Sequence, residues 1–131
     1  AFQETKKIDG ISVITDTIVP PENFKQSLSE IHQVIRQEKI EYLLFGHLGD
    51  CHLHFHLIPA KDQQERAFDV YNKIVKISSN LGGVYSAEHG TGKRKKADFL
   101  SCYGASAANE LKASKLCLDP HMILNRGNII D

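Results

Sequence analysis

The chain has 131 residues, a length that suits one domain, and 41% of them are hydrophobic, enough for a core without disulfide staples. Its 16 basic and 16 acidic side chains cancel to a formal net charge of zero, which argues against a nucleic-acid-binding surface or a polybasic membrane anchor. No apolar run reaches the length of a bilayer span, no signal peptide is evident, and Cys51, Cys102 and Cys117 lack CxxC spacing, so reduced thiols and an intracellular setting, cytoplasmic or peripheral to a membrane, are expected.

In chain order, the β-branched run Ile11 to Val19 predicts a strand, and Pro20-Pro21 stops it. Pro21 suits the first position of a helix, whose apolar stripe is Phe24, Leu28, Ile31 and Ile35. Charges between Gln37 and Glu41 end it. Tyr42 to Phe45 reads as a second strand, Leu48-Gly49-Asp50 as a hairpin turn, and Cys51 to Leu57 as the returning strand. Period-two alternation puts Cys51, Leu53, Phe55 and Leu57 on one face and His52, His54 and His56 on the other. The hairpin is expected to bring His47 back beside His54. Asp62 is a candidate cap for a second helix with the stripe Phe68, Tyr71, Ile74, Val75 and Leu81, and Gly82-Gly83 is its stop. Val84 to Ala87 is a short strand leading into Glu88-His89-Gly90-Thr91-Gly92. A last helical region runs from the basic stretch Lys93 to Lys96 to about Leu118, and Asp119-Pro120 breaks it. This order predicts an α+β, ferredoxin-like fold, an antiparallel sheet with helices packed on one face.

The histidines carry the chemistry. Two imidazoles on adjacent strands and a carboxylate at the end of another strand are the donor set of an open zinc site, with His47, His54 and Glu88 as ligands. Manganese, iron and cobalt accept the same donors. The plainer alternative makes His52, His54 and His56 a solvated sheet face. His89 has the residue type of a general base near neutral pH, although its spacing alone fits a loop histidine at a glycine-rich turn. Gly92-Lys93 is not a phosphate loop, because Ala87 stands where a glycine is required and Arg94 where Ser or Thr is required. Lys93 to Lys96 reads as a solvated helix start rather than a nucleic-acid patch.

Four motifs in order resemble one family, the C-terminal domain of the FAD-linked oxidases, typified by D-lactate dehydrogenase, D-2-hydroxyglutarate dehydrogenase and the glycolate oxidase D subunit. Asp16 to Pro20 is similar to its D-x-x-V-P, and Gly46 to His54 to its G-H-x-G-D-G-N-L-H. Gly82 to Gly92 resembles its G-G-x-x-x-x-E-H-G-x-G, with Lys95 matching a following lysine. Asp119-Pro120 and Ile123 to Gly127 resemble its tail. The resemblance implies residues 1–131 as a capping domain that supplies substrate and metal groups to an enzyme oxidising a small D-2-hydroxy acid to the 2-keto acid. FAD is then bound mainly by a domain or subunit outside this chain, and the isolated domain is expected to be inactive. A mitochondrial location is expected in a eukaryote, and an oligomer is possible.

Carried over by motif, His47, His54 and Glu88 hold Zn²⁺ or Mn²⁺, and His89 takes the substrate hydroxyl proton. His52, His56 and Lys95 face the substrate, and Asn125 contacts the cofactor. The chain departs from the pattern at Cys51 (glycine), His52 and His56 (both asparagine), Arg126 (proline) and Asn128 (lysine). The alternative is a self-standing ferredoxin-like module that binds a metal or small acid without catalysis. The chain opens at Ala1-Phe2 without a methionine, as a piece of a longer protein would.

Overall fold

The computed structural model describes residues 11–130. The chain divides into two compact units between Glu88 and His89. In the first, the elements are β1 (Val13–Ile14), α1 (Phe24–Glu38), β2 (Glu41–His47), β3 (His52–Ile58) and α2 (Gln64–Asn80). The second contains α3 (Lys96–Leu118). The fold is α+β, as expected, with one three-stranded antiparallel sheet in the order β1-β3-β2.

Strand β3 lies in the middle. On one of its faces Phe55 and Leu57 join Val13 from β1, Ile31 and Ile35 from α1, and Ala67, Val70 and Ile74 from α2 in a single core. Both helices therefore pack on that face. Burial there excludes water from a contiguous apolar cluster, which is the main term holding this unit together.

The helices follow their sequence signals with two corrections. Helix α1 buries Ile31 and Ile35, half-buries Phe24 and Leu28, and ends at Lys39, which adopts the left-handed conformation. In α2, Phe68 is exposed and the inward face runs instead through Ala67, Val70, Ile74, Val75 and Ser78. Phe68 stands about 100° round the helix from Ala67, off the face that Ala67, Val70 and Ile74 turn to the sheet. Asp62 does not cap α2. It lies within a 3₁₀ turn at Lys61–Gln63, and the Ala60 N–H donates to Gln63 Oε1 at 3.0 Å. The chain leaves α2 as expected, with the Gly83 N–H donating to Ser78 O at 2.8 Å.

Two expected strands are shorter than their sequences imply. The first is regular only at Val13–Ile14. Beyond it, Thr15 N–H still donates to Phe55 O at 3.0 Å, but the return bond runs from Phe55 N–H to Thr15 Oγ1 at 3.0 Å. The Thr15 carbonyl has left the ladder. Val84 to Ala87 forms isolated bridges, Ile18 with Val84 and Asp16 with Ser86, rather than a strand.

The second unit is built on α3, which breaks at Gly104 (φ 74°, ψ −177°), a conformation that glycine adopts readily. Asp119 closes its far end. Its carboxylate accepts from Lys115 Nζ at 2.8 Å, Ile123 N–H at 3.0 Å and Leu124 N–H at 2.9 Å. Among the described residues no helix is long and apolar enough to cross a membrane.

Candidate metal centre

The hairpin register decides which histidines meet. Leu48–Asp50 forms a 3₁₀ turn and Cys51 closes it in the left-handed conformation at φ 55°, the place where the family motif has glycine. The pairing that results sets His47 opposite His52, Phe45 opposite His54 and Leu43 opposite His56. The direct partner of His47 is thus His52, not His54, because the reversal takes four residues. His47 and His54 nevertheless share a face, with ring centroids 6.3 Å apart.

That face is not solvated. His52 and His54 are each 4% exposed and His56 is fully buried, so β3 is covered on both sides and the plainer reading of a solvated histidine face fails. Each buried imidazole then requires partners. His54 Nδ1 lies 3.0 Å from the Thr15 carbonyl, which only accepts, so Nδ1 carries a proton and in the neutral ring Nε2 has the lone pair. This bond explains why Thr15 left the β-ladder.

His54 Nε2 faces Glu88 Oε1 at 3.0 Å, and His47 Nε2 faces Glu88 Oε2 at 3.4 Å. A lone pair and a carboxylate oxygen at such distances repel unless a proton or a cation lies between them. Ligands on a tetrahedron of 2.0–2.1 Å bonds stand roughly 3.3 Å apart, so these separations fit a shared ion. One potential donor atom from each of His47, His52, His54 and Glu88 lies within 4.8 Å of the others.

Asp16 supports the cluster. It is fully buried, and its carboxylate meets His52 Nε2 at 3.1 Å while accepting Ser86 O–H at 2.6 Å and Glu88 N–H at 3.3 Å. Its backbone carbonyl also accepts the Ala87 N–H at 2.8 Å. Asp16 thus aligns the segment that presents Glu88. Sequence reading placed Asp16 in a motif but gave it no role at the site. The available signal was an acid inside a β-branched, core-bound run.

His56 lies further along β3, with Nε2 2.9 Å from Ser12 Oγ. Burial holds its imidazole below the usual histidine range. The second unit holds the other expected residues. His89 follows Glu88 in the chain and is exposed. Lys95 is half-buried just before α3, its N–H donating to Thr91 O at 3.1 Å. Asn125 is exposed in the tail, in the left-handed conformation at φ 48°.

The family model described as FAD linked oxidases, C-terminal domain, matches residues 2–129. The chain belongs to that family. Its relatives include the D-lactate dehydrogenase of Archaeoglobus fulgidus, 26% identical over 89% of this chain and 26% of the relative. The D-2-hydroxyglutarate dehydrogenase of Pantoea ananatis is 31% identical over 91% of this chain and 12% of the relative. The glycolate oxidase subunit GlcD of Bacillus subtilis is 27% identical over 98% of this chain and 28% of the relative. The chain therefore spans between about an eighth and just over a quarter of these relatives.

Proposed function

We propose that this chain is the substrate- and metal-bearing C-terminal domain of a FAD-dependent dehydrogenase that oxidises a D-2-hydroxy acid of the lactate, glycolate or 2-hydroxyglutarate type. The observation that carries the reading is the approach of both Glu88 oxygens to Nε2 of His47 and His54, in a chain of this family. His47, His54 and Glu88 would hold the ion, Zn²⁺ or Mn²⁺. When bound, the ion would supply a Lewis acid for the substrate hydroxyl and the flavin a hydride acceptor.

The chain's own residues do the rest. Thr15 O fixes the His54 tautomer, and Asp16 holds the Glu88 backbone in place. His89 takes the hydroxyl proton at an imidazole nitrogen and Lys95 offers its ammonium to the substrate carboxylate, whereas His56, fully buried against Ser12, does not meet the substrate directly. Asn125 contacts the cofactor, in keeping with the family tail. The ferredoxin-like arrangement is supported by two helices on one face of the antiparallel sheet. The FAD-binding domain or subunit is the proposed partner. Exposed Leu43, Leu44 and Phe45 on edge strand β2 support an apolar contact of that kind. The same edge suits the second reading, a binding module without catalysis that self-associates. The free cysteines support an intracellular setting.

Dye reduction by the domain joined to its FAD-binding part, with D-lactate, glycolate and D-2-hydroxyglutarate in turn, tests the proposal. One of the three should be oxidised, and Glu88→Gln should lower kcat/KM by roughly 100-fold or more, since it removes a ligand rather than a supporting bond. Turnover unchanged in Glu88→Gln, no oxidation of any of the three, or FAD bound stoichiometrically by this chain alone would contradict it.

A further inference from the structure

The cluster contains one donor more than the proposed three-ligand centre uses. His52 stands across the hairpin from His47, with its ring centroid 5.6 Å from that of His47 and 4.5 Å from that of His54. It is also one of four residues that each offer a potential donor atom, a ring nitrogen in its case, within 4.8 Å of the others. Its Nε2 faces the Asp16 carboxylate, which holds two other donors. A carboxylate in that setting is an acceptor, so His52 Nε2 carries the proton and Nδ1 keeps the lone pair. A carboxylate on the far nitrogen is the usual support of a metal-bound imidazole, fixing its tautomer and raising its basicity. An asparagine at this position offers only a neutral amide oxygen, a harder and weaker donor to zinc than an imidazole nitrogen.

We propose that His52 is a fourth protein ligand, through Nδ1, so that three imidazoles and the Glu88 carboxylate enclose the ion. The inference rests on the reading of His47, His54 and Glu88 as ligands. Four protein ligands fill the tetrahedron of a zinc site and leave no open position, whereas three leave one for water or substrate. The nitrogen-rich set also favours Zn²⁺ over Mn²⁺, which suits oxygen donors. In this chain a substrate oxygen then reaches the ion only by displacing His52 or by expanding the coordination to five.

Zinc-edge X-ray absorption on the zinc-loaded protein counts the imidazoles, and competition against a chromophoric chelator gives the affinity. Three imidazoles are expected in the unmodified protein and two in His52→Asn, with zinc held roughly 10–100-fold more weakly by the variant. Two imidazoles in the unmodified protein, with equal affinity in His52→Asn, would overturn the fourth ligand and leave the three-ligand centre standing. Failure of the unmodified protein to bind zinc at one ion per chain would overturn both. If His52→Asn does not fold, the count in the unmodified protein decides alone.

Discussion

At the scale of single residues, Cys51 shows how a sequence departure acts on the fold. It holds a left-handed φ of 55° at the hairpin reversal, where a side chain costs about 1–2 kcal/mol relative to glycine. Glycine also loses more chain entropy on folding, by roughly 0.5–1 kcal/mol. Cys51→Gly should therefore stabilise the protein by about 0.5–1 kcal/mol, measured by urea denaturation; a loss of stability would show that packing of the Cys51 side chain outweighs its backbone strain. His32 makes a second test. Burial, then the charge of Arg36 one turn on, lowers its pKa from the ordinary 6.5. The neutral ring faces Tyr42 Oη through Nδ1 at 2.7 Å. Because the folded value is depressed, its contribution to stability is present above the unfolded pKa and is lost as the pH falls through the folded one. Its NMR titration should have a midpoint below 6.5, and a midpoint above it would contradict the packing described.

At the scale of elements, the hairpin carries the site and its register is the sensitive quantity. A Cβ added at Gly46, which has φ +141°, would stand 2.6 Å from the His52 carbonyl oxygen. Gly46→Ala should cost about 1–3 kcal/mol through backbone strain and separate His47 from His52. Leu57→Asp should prevent folding, because Leu57 is fully buried in the core and an unpaired charge there has no compensation. Thermal melts followed by circular dichroism distinguish the two, with a lowered midpoint for the first and no cooperative transition for the second. Leu53 is the weaker position for that test, being only half-buried.

These elements also show what the sequence could reveal. Alternation in β3, the stripe of α1 and the glycine stop of α2 are local periodicities, and they are legible. The grouping of His47, His54 and Glu88 is legible from the histidine hairpin and the carboxylate after the next strand, and the family resemblance implies it again. Burial of the histidine face was not legible, because the groups that meet it, Thr15, Asp16 and Glu88, lie 34 to 39 residues from His52 and His54 in the chain. Nor was the role of Asp16, whose partners lie 36 to 72 residues away. Phe68 misled because an apolar side chain at helical spacing does not say which side of the stripe wins.

At the scale of the whole molecule, the two units should respond to acid in different ranges. His32 weakens the first as the pH falls below about 6.5. In the second, Lys115 bonding to Asp119, helped by the Ile123 and Leu124 N–H groups, lowers that carboxyl to about 2. Its contribution is therefore complete above its unfolded value of 3.8 and is lost only as the pH falls toward 2. Hydrogen exchange mapped at pH 7, 5 and 3 should show protection around α1 declining before that of the Asp119 turn; the reverse order would contradict this account. Its central claim is that the hairpin and the segment after α2 converge to hold an ion. Titration calorimetry of Zn²⁺ into the protein and into Glu88→Gln tests that most directly. We expect one ion per chain in the unmodified protein and an affinity at least about tenfold weaker in Glu88→Gln; equal binding by both, or none by either, would contradict it.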